Sequence, residues 1–312
     1  MDMATASPLL SLPFMALDRD RVDLALRNAV QTKDSHLNEL ASHLIIAGGK
    51  RLRPVLSIAA AQVGNESPVS DEVIQGSIAC ELVHLGSLYH DDVMDESLTR
   101  RGVDTVNARW GNLQAILAGD FMLAKASEVS AALGTEVVTL LAQTIGRLCE
   151  GQIEELRHTY DVSRSIPSYL VSIEGKTASL FATSARIGAI VAGHDRKIVD
   201  DILDVIATDG ELGKRAGHDM EEGVYTLPVL LTLSSDSTDA IELRDLLGKP
   251  FTSDERDKAL QIVRSNSGIA SAIETALEYV SIAETECNKL PPSSATTAMR
   301  LAPRILLESV IR

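Results

Sequence analysis

Asp91-Asp92-Val93-Met94-Asp95 places carboxylates four positions apart. In a helix, residues four apart lie about 40° from one another around the axis, so Asp91 and Asp95 share a face. Like charges at that spacing repel, and the C-terminal end of a helix disfavours anions further. Two unfavourable terms in one place imply a compensating cation. Ligands that are all oxygen favour Mg²⁺ over zinc or copper, and Mg²⁺ commonly bridges carboxylates to phosphate oxygens. A solvated acidic helix end is the plainer alternative. The neighbours decide between the two: His84 lies two turns before Asp91 on the same face, and Arg100-Arg101 follow closely. Carboxylates followed by paired guanidiniums suit a metal-bound polyphosphate, because an Arg fork matches phosphate oxygens bidentately.

A second cluster is basic. Gly48-Gly49-Lys50-Arg51-Leu52-Arg53-Pro54 sets three cations in four residues, in a chain whose net charge is −15. The loop lies between a glycine break and the N-terminus expected for the next helix, where free N–H groups favour anions. A basic turn that merely balances acidic neighbours is the alternative. Further on, Gly175-Lys176-Thr177 carries the tail of a Walker A loop. Leu170 stands where that motif needs its first glycine, which excludes an ATPase of that type.

The elements that must carry these residues are helical. Val22, Ala25, Leu26, Ala29 and Val30 mark one helix face, and the pattern predicts a helix over 18–46 that stops at Gly48-Gly49. A second helix opens at Pro54, and long ones are predicted over 71–95, 113–133 and 136–160, with loops at 64–70, 97–112, 163–167, 234–238 and 291–297. Alternating β-branched patterns are almost absent. Of 312 residues, 45% are hydrophobic and only 3% aromatic, a composition suited to closely packed aliphatic helices. The expectation is an all-α helical bundle, one domain over 1–312.

Composition also excludes. The acidic balance argues against nucleic acid as partner. Cys80, Cys149 and Cys287 form no CxxC pair, so neither a zinc site nor a disulfide framework is expected, and a cytoplasmic location is. The apolar stretch 8–17 is broken by Ser11 and Pro13 and reads as a docking arm, not a signal peptide. No apolar run is long enough for a membrane helix.

Taken together, these stretches resemble the trans-isoprenyl diphosphate synthase (polyprenyl synthase) family. The matching segments are GGKRLRP (48–54), ELVHLGSLYHDDVMDESLTRRG (81–102), TVNARWGN (105–112), LAGDF (117–121), EGQ (150–152), GKTASLF (175–181), DDILD (200–204), ELGKRAGHDM (211–220) and EGVYTLP (222–228), in the family's order over nearly the whole chain. The resemblance implies helices around a deep central cavity and a homodimer. It also implies head-to-tail condensation of isopentenyl diphosphate with an allylic prenyl diphosphate, aided by three Mg²⁺ ions. Asp91 and Asp95 match the first metal-binding motif, with Asp92 in support, and Asp200, Asp201 and Asp204 match the second. Lys50, Arg53, His84 and Arg101 match the isopentenyl diphosphate site. Arg100, Lys176, Thr177 and Lys214 match the allylic diphosphate site. Asp91, Asp95, Lys176 and Asp200 are the catalytic set this implies.

Two departures matter. Val224 stands where the family usually has lysine. Lys176 and Asp200 are 24 positions apart, whereas the family pattern leads to roughly 40. A stretch of about 17 residues, some 25 Å of helix, is therefore missing ahead of the second aspartate motif. An impaired paralogue serving as a non-catalytic subunit is the competing expectation. A terpene cyclase is disfavoured by the scarcity of aromatics, which such pockets use against carbocations. Finally, Gly86 and Ser87, one turn before Asp91, are small, which predicts a pocket open to products of twenty carbons or longer.

Overall fold

The computed structural model describes residues 7–195, 218–250 and 252–311. In chain order its helices are α1 (Met15–Ala29), α2 (Ser35–Ile46), α3 (Leu52–Ala61), α4 (Asp71–Met94), α5 (Val106–Trp110), α6 (Asn112–Ala132), α7 (Thr135–Arg157), α8 (Ile166–Ile173), α9 (Ser179–Val191), α10 (His218–Glu221), α11 (Leu227–Leu233), α12 (Thr238–Leu246), α13 (Ser253–Ser265), α14 (Gly268–Cys287) and α15 (Ser294–Ile311). Among the described residues the only strands are β1 (Thr99–Arg100) and β2 (Val103–Asp104), paired as a hairpin. The all-α expectation holds. No described helix is long and apolar enough to cross a membrane.

Contacts group the chain into two compact units, Met1–Ile145 with Leu180–Ala207 and Ala283–Arg312, and Gly146–Ser179 with Thr208–Ile282. The first is organised on α4. Ser70 starts that helix by accepting from the Val73 N–H, as an N-cap does. Ile78, Leu82, Leu85 and Tyr89 are then buried in succession, so α4 is covered on most sides and shows no clean solvent face. Each such leucine contributes about 2 kcal/mol by leaving water. Across from α4, α6 buries Ala115, Ala118, Gly119, Met122 and Ala126. The two helices meet through glycines: a Cβ on Gly86 would sit 3.0 Å from the Gly119 carbonyl oxygen, and one on Gly119 would run into the His90 ring.

The helix predicted over 18–46 is two helices. The apolar face ends at Val30, and Asp34 restarts the chain as an N-cap, accepting from His36 N–H (2.9 Å) and Leu37 N–H (3.1 Å). A polar stretch able to cap outweighed continuing propensity. The second unit has its own core of Tyr225, Val229, Leu230, Leu243, Leu247 and Val263, with the Tyr225 hydroxyl accepting from Gly248 N–H at 2.7 Å. Its stretch of α7 ends at Arg157, three residues before the predicted end. Tyr160, in the left-handed region (φ 59), turns there to donate its N–H to the Gly223 carbonyl at 2.8 Å.

Candidate active site

The basic loop leaves α2 through Gly48 (φ 89) and Gly49 (φ 151) and enters α3 through Arg51 (φ 52). Gly49 has a steric reason beyond its φ: a Cβ there would lie 2.8 Å from the Arg101 guanidinium carbon. Arg101 also takes a left-handed turn (φ 54), at the β1–β2 hairpin. Its guanidinium donates to the Leu44 carbonyl (3.1 Å) and to the Gly48 carbonyl. It thus covers the carbonyl end of α2, where a cation is favoured. Arg53 is buried, its guanidinium 4.5 Å over the Phe181 ring. Lys50 is exposed.

His84 is half-buried on α4 among these arginines. Burial first, then Arg53, Arg101, Arg100 and Arg51, hold its imidazole well below the usual histidine range. It is therefore neutral at pH 7 and adds hydrogen-bonding capacity, not charge, to a site already rich in cations.

At the C-terminal end of α4 the three carboxylates part company. Asp91 and Asp95 are half-buried, while Asp92 is only 1% exposed. Arg100 donates from Nε to Asp92 Oδ1 at 2.5 Å. Burial raises Asp92 to about 6 against the pull of Arg100, and the charges of Asp91 and Asp95 raise it further. The crowding of negative charge that the sequence predicts is thus present. Among the described residues no three acidic, His or Cys groups close into a metal cage. Mg²⁺ takes one or two carboxylates and completes its shell with water and phosphate oxygens. Asp91 and Asp95 are the donors suited to it; the Asp92 carboxylate, expected in support of the metal, is engaged by Arg100.

Lys176 and Thr177 lie in the second unit, on a π-helical turn over Glu174–Ala178 between α8 and α9. Lys176 Nζ lies 2.6 Å from Glu155 Oε1. Gly151 and Gly175 let α7 approach this turn: a Cβ on Gly151 would fall 2.5 Å from the Lys176 nitrogen, and one on Gly175 would fall 2.8 Å from the Arg147 carbonyl. The π turn is not among the expectations from sequence, although a mid-helix glycine in each partner is the trace it leaves. Val224, in the place of the family's lysine, is half-buried and donates its N–H to Asp219 at 2.8 Å. Asp200, Asp201, Asp204 and Lys214 lie outside the described residues.

One expectation changes. Gly86 was grouped with Ser87 as pocket lining, but it faces α6 and sits on the Gly119 backbone. Four and five positions before Asp91 differ by about 100° around a helix, so the pair divides between two faces. Ser87 is half-buried, its hydroxyl donating to the His84 carbonyl at 2.8 Å.

The first unit thus sets carboxylates at one helix end beside a glycine-led group of guanidiniums. The polyprenyl synthetase family profile matches residues 34–263, and the chain belongs to that family. Nonaprenyl diphosphate synthase of Mycobacterium tuberculosis is 37% identical over 289 residues, covering 87% of this chain and 86% of its own. A prenyl transferase of Porphyra purpurea is 33% identical over 324 residues, covering 96% and 97%. The crystal structure of a polyprenyl synthase from Caulobacter crescentus CB15, complexed with calcium and isoprenyl diphosphate, superposes with a TM-score of 0.88 at 28% identity, covering 96% of each chain.

Proposed function

We propose that this chain is a prenyltransferase that joins isopentenyl diphosphate head to tail to an allylic prenyl diphosphate, making an all-trans product of twenty carbons or more. The observation that carries the reading is the gathering of Arg53, His84, Arg100 and Arg101 beside the Asp91–Asp95 end of α4. Family membership and relatives that are themselves nonaprenyl and solanesyl diphosphate synthases support both the activity and the product length. They favour an active synthase over a non-catalytic subunit.

Asp91 and Asp95 would hold Mg²⁺, three ions in all with the second aspartate motif. The bound ions supply Lewis-acid stabilisation of charge on the leaving diphosphate. Relatives crystallised with calcium and isoprenyl diphosphate support a divalent metal. Arg100, Lys176, Thr177 and Lys214 would bind the allylic diphosphate, and the positive charge of Arg100, Lys176 and Lys214 favours heterolysis of its C1–O bond, the electron pair leaving with the diphosphate. Lys50, Arg53, His84 and Arg101 hold the isopentenyl diphosphate so that its C4 faces the allylic C1; a neutral His84 orients without adding repulsion among the arginines. The new C–C bond forms there, and the proton lost from C2 passes to the departed diphosphate. Asp92 steers Arg100 by accepting from its Nε.

A homodimer is supported by Leu113, Ile116 and Leu117, exposed on one face at the start of α6. A reducing compartment such as the cytoplasm is supported by three free cysteines. A shortened segment ahead of Asp200 is supported by the 24-position spacing of Lys176 and Asp200.

The test is incubation of purified protein with Mg²⁺, labelled isopentenyl diphosphate and each allylic primer in turn, followed by product sizing. Elongated products of twenty carbons or more are expected. Absence of any elongation with every primer overturns the reading. Inserting about 17 residues from an intact relative before Asp200 is expected to raise turnover if the shortening limits it.

A further inference from the structure

Arg51 lies between two residues assigned above to substrate, yet its side chain runs the other way. Its guanidinium is 3% exposed and reaches three helices. Nε donates to Asp23 Oδ1 on α1 (2.9 Å), Nη1 to Glu81 Oε1 on α4 (3.1 Å) and Nη2 to the Ile45 carbonyl near the end of α2 (3.0 Å). The backbone is bent to allow this, since Arg51 adopts φ 52 where most side chains avoid the left-handed region. Its own carbonyl accepts from Val55 N–H at 3.0 Å and so begins the α3 ladder.

Glu81 completes the arrangement. It is 1% exposed, one turn before His84 on the same helix, and its Oε2 has no hydrogen-bond partner. Burial pushes this acid above the usual carboxylate range, and the neighbouring Arg51, Arg53 and Arg101 pull it the other way. The acid therefore ties together the cations of the basic loop and of the hairpin from beneath. Removing either partner would take from the other its hydrogen-bonded counter-charge.

We infer that Arg51, locked onto Asp23, Glu81 and the Ile45 carbonyl, is a positioning residue that fixes the loop from which Lys50 and Arg53 meet a diphosphate. It touches no substrate. Planar, forked geometry is what the position requires, because three acceptors on three helices are met at once; an ammonium group on a flexible stem does not reproduce them. The inference rests on the proposed function, and it adds that the central cation of the loop acts on isopentenyl diphosphate affinity through the fold.

The variants are Arg51→Lys, Arg51→Met and the near-isosteric Glu81→Gln, each compared with wild type for KM toward isopentenyl diphosphate, KM toward the allylic diphosphate, kcat and thermal midpoint. Expected is a rise in KM for isopentenyl diphosphate of about tenfold in Arg51→Lys and Glu81→Gln and more in Arg51→Met, with the allylic KM changed less than threefold. The double variant Arg51→Met/Glu81→Met is expected to show a smaller rise than the two single changes combined, since one network is broken once. A purely structural role would lower the thermal midpoint while leaving the two KM values in their wild-type ratio, and that result overturns the inference. Should Arg51→Met fail to fold, Glu81→Gln decides: an unchanged KM ratio there overturns it as well. A wild type that elongates while these ratios stay fixed fails this inference alone; a wild type with no elongation fails the functional reading first.

Discussion

The loop Gly48–Arg53 and the turn Glu174–Ala178 both place cations beside glycines, but they hold them differently. In the loop, Arg51 and the neighbouring Arg101 are anchored to helix-end carbonyls, Arg51 also to the buried Glu81 and the half-exposed Asp23, and Lys50 is exposed. In the turn, Lys176 meets the Glu155 carboxylate at 2.6 Å from a π-helical stretch. The contrast teaches that a run of like charges in sequence need not be one site. Three adjacent cations divide into a scaffold and a presented group, whereas a lone lysine must be positioned by the helix itself.

The strongest challenge to the proposed function removes the acids of the first aspartate motif. Asp91→Ala and Asp95→Ala are expected to lower turnover by about 1000-fold or more while keeping or raising the thermal midpoint, because a charge leaves a repulsive cluster. Turnover of Asp91→Ala at the wild-type rate in excess EDTA would show that neither region serves a metal-bound diphosphate.

Next in size is the difference between the two lysines. Lys176→Ala is expected to reduce kcat/KM for the allylic diphosphate by about 100-fold, since a charge-assisted contact is lost and Glu155 keeps its charge. Lys50→Ala, in a loop whose frame survives, is expected to raise KM for isopentenyl diphosphate by about tenfold. Steady-state kinetics with each substrate varied in turn separates them, and equal effects on both substrates would erase the distinction between loop and turn.

A third experiment concerns the faces of α4. Ser87→Phe is expected to shorten the product with little change in thermal midpoint. Gly86→Ala is expected to cost about 1–3 kcal/mol of stability by pressing on the Gly119 backbone. Product chromatography and thermal melts would report the reverse pattern if Gly86, not Ser87, lined the pocket.

The smallest effect is a pH dependence. Asp92 is raised in the fold to about 6, so the folded protein holds this proton more tightly than the unfolded chain. Its contribution to stability is full below the ordinary carboxylate value near 4 and is lost as pH rises through about 6. In metal-free buffer, denaturant midpoints of wild type relative to Asp92→Asn are expected to fall over that window, by up to about 3 kcal/mol in stability. A difference independent of pH from 4 to 7 contradicts the buried placement.

Much of the site was legible because its chemistry is local. The four-residue spacing of Asp91 and Asp95 fixes their shared face, and Gly48-Gly49 before three cations announces a turn whatever packs around it. The fold class was equally plain from periodicity. What stayed hidden depends on partners distant in sequence. The break at Asp34 required knowing that capping would prevail over helix continuation. Arg51 is set apart from Lys50 and Arg53 by its hydrogen bonds to Glu81 and Asp23. The π turn arises where two glycines let helices touch, and Gly86 was assigned a face by counting from Asp91 when the Gly119 backbone decides it.

The contact of Gly86 with Gly119 divides α4 into what variation can reach and what it cannot. Under the proposed function, exchange of small for bulky residues on the Ser87 side would move the product toward shorter or longer chains one substitution at a time. On the glycine side every exchange pushes two helices apart, so selection finds no gradual path there. On that reading diversity of product would be channelled to one edge of a single helix, while the opposite edge is held constant by lack of room.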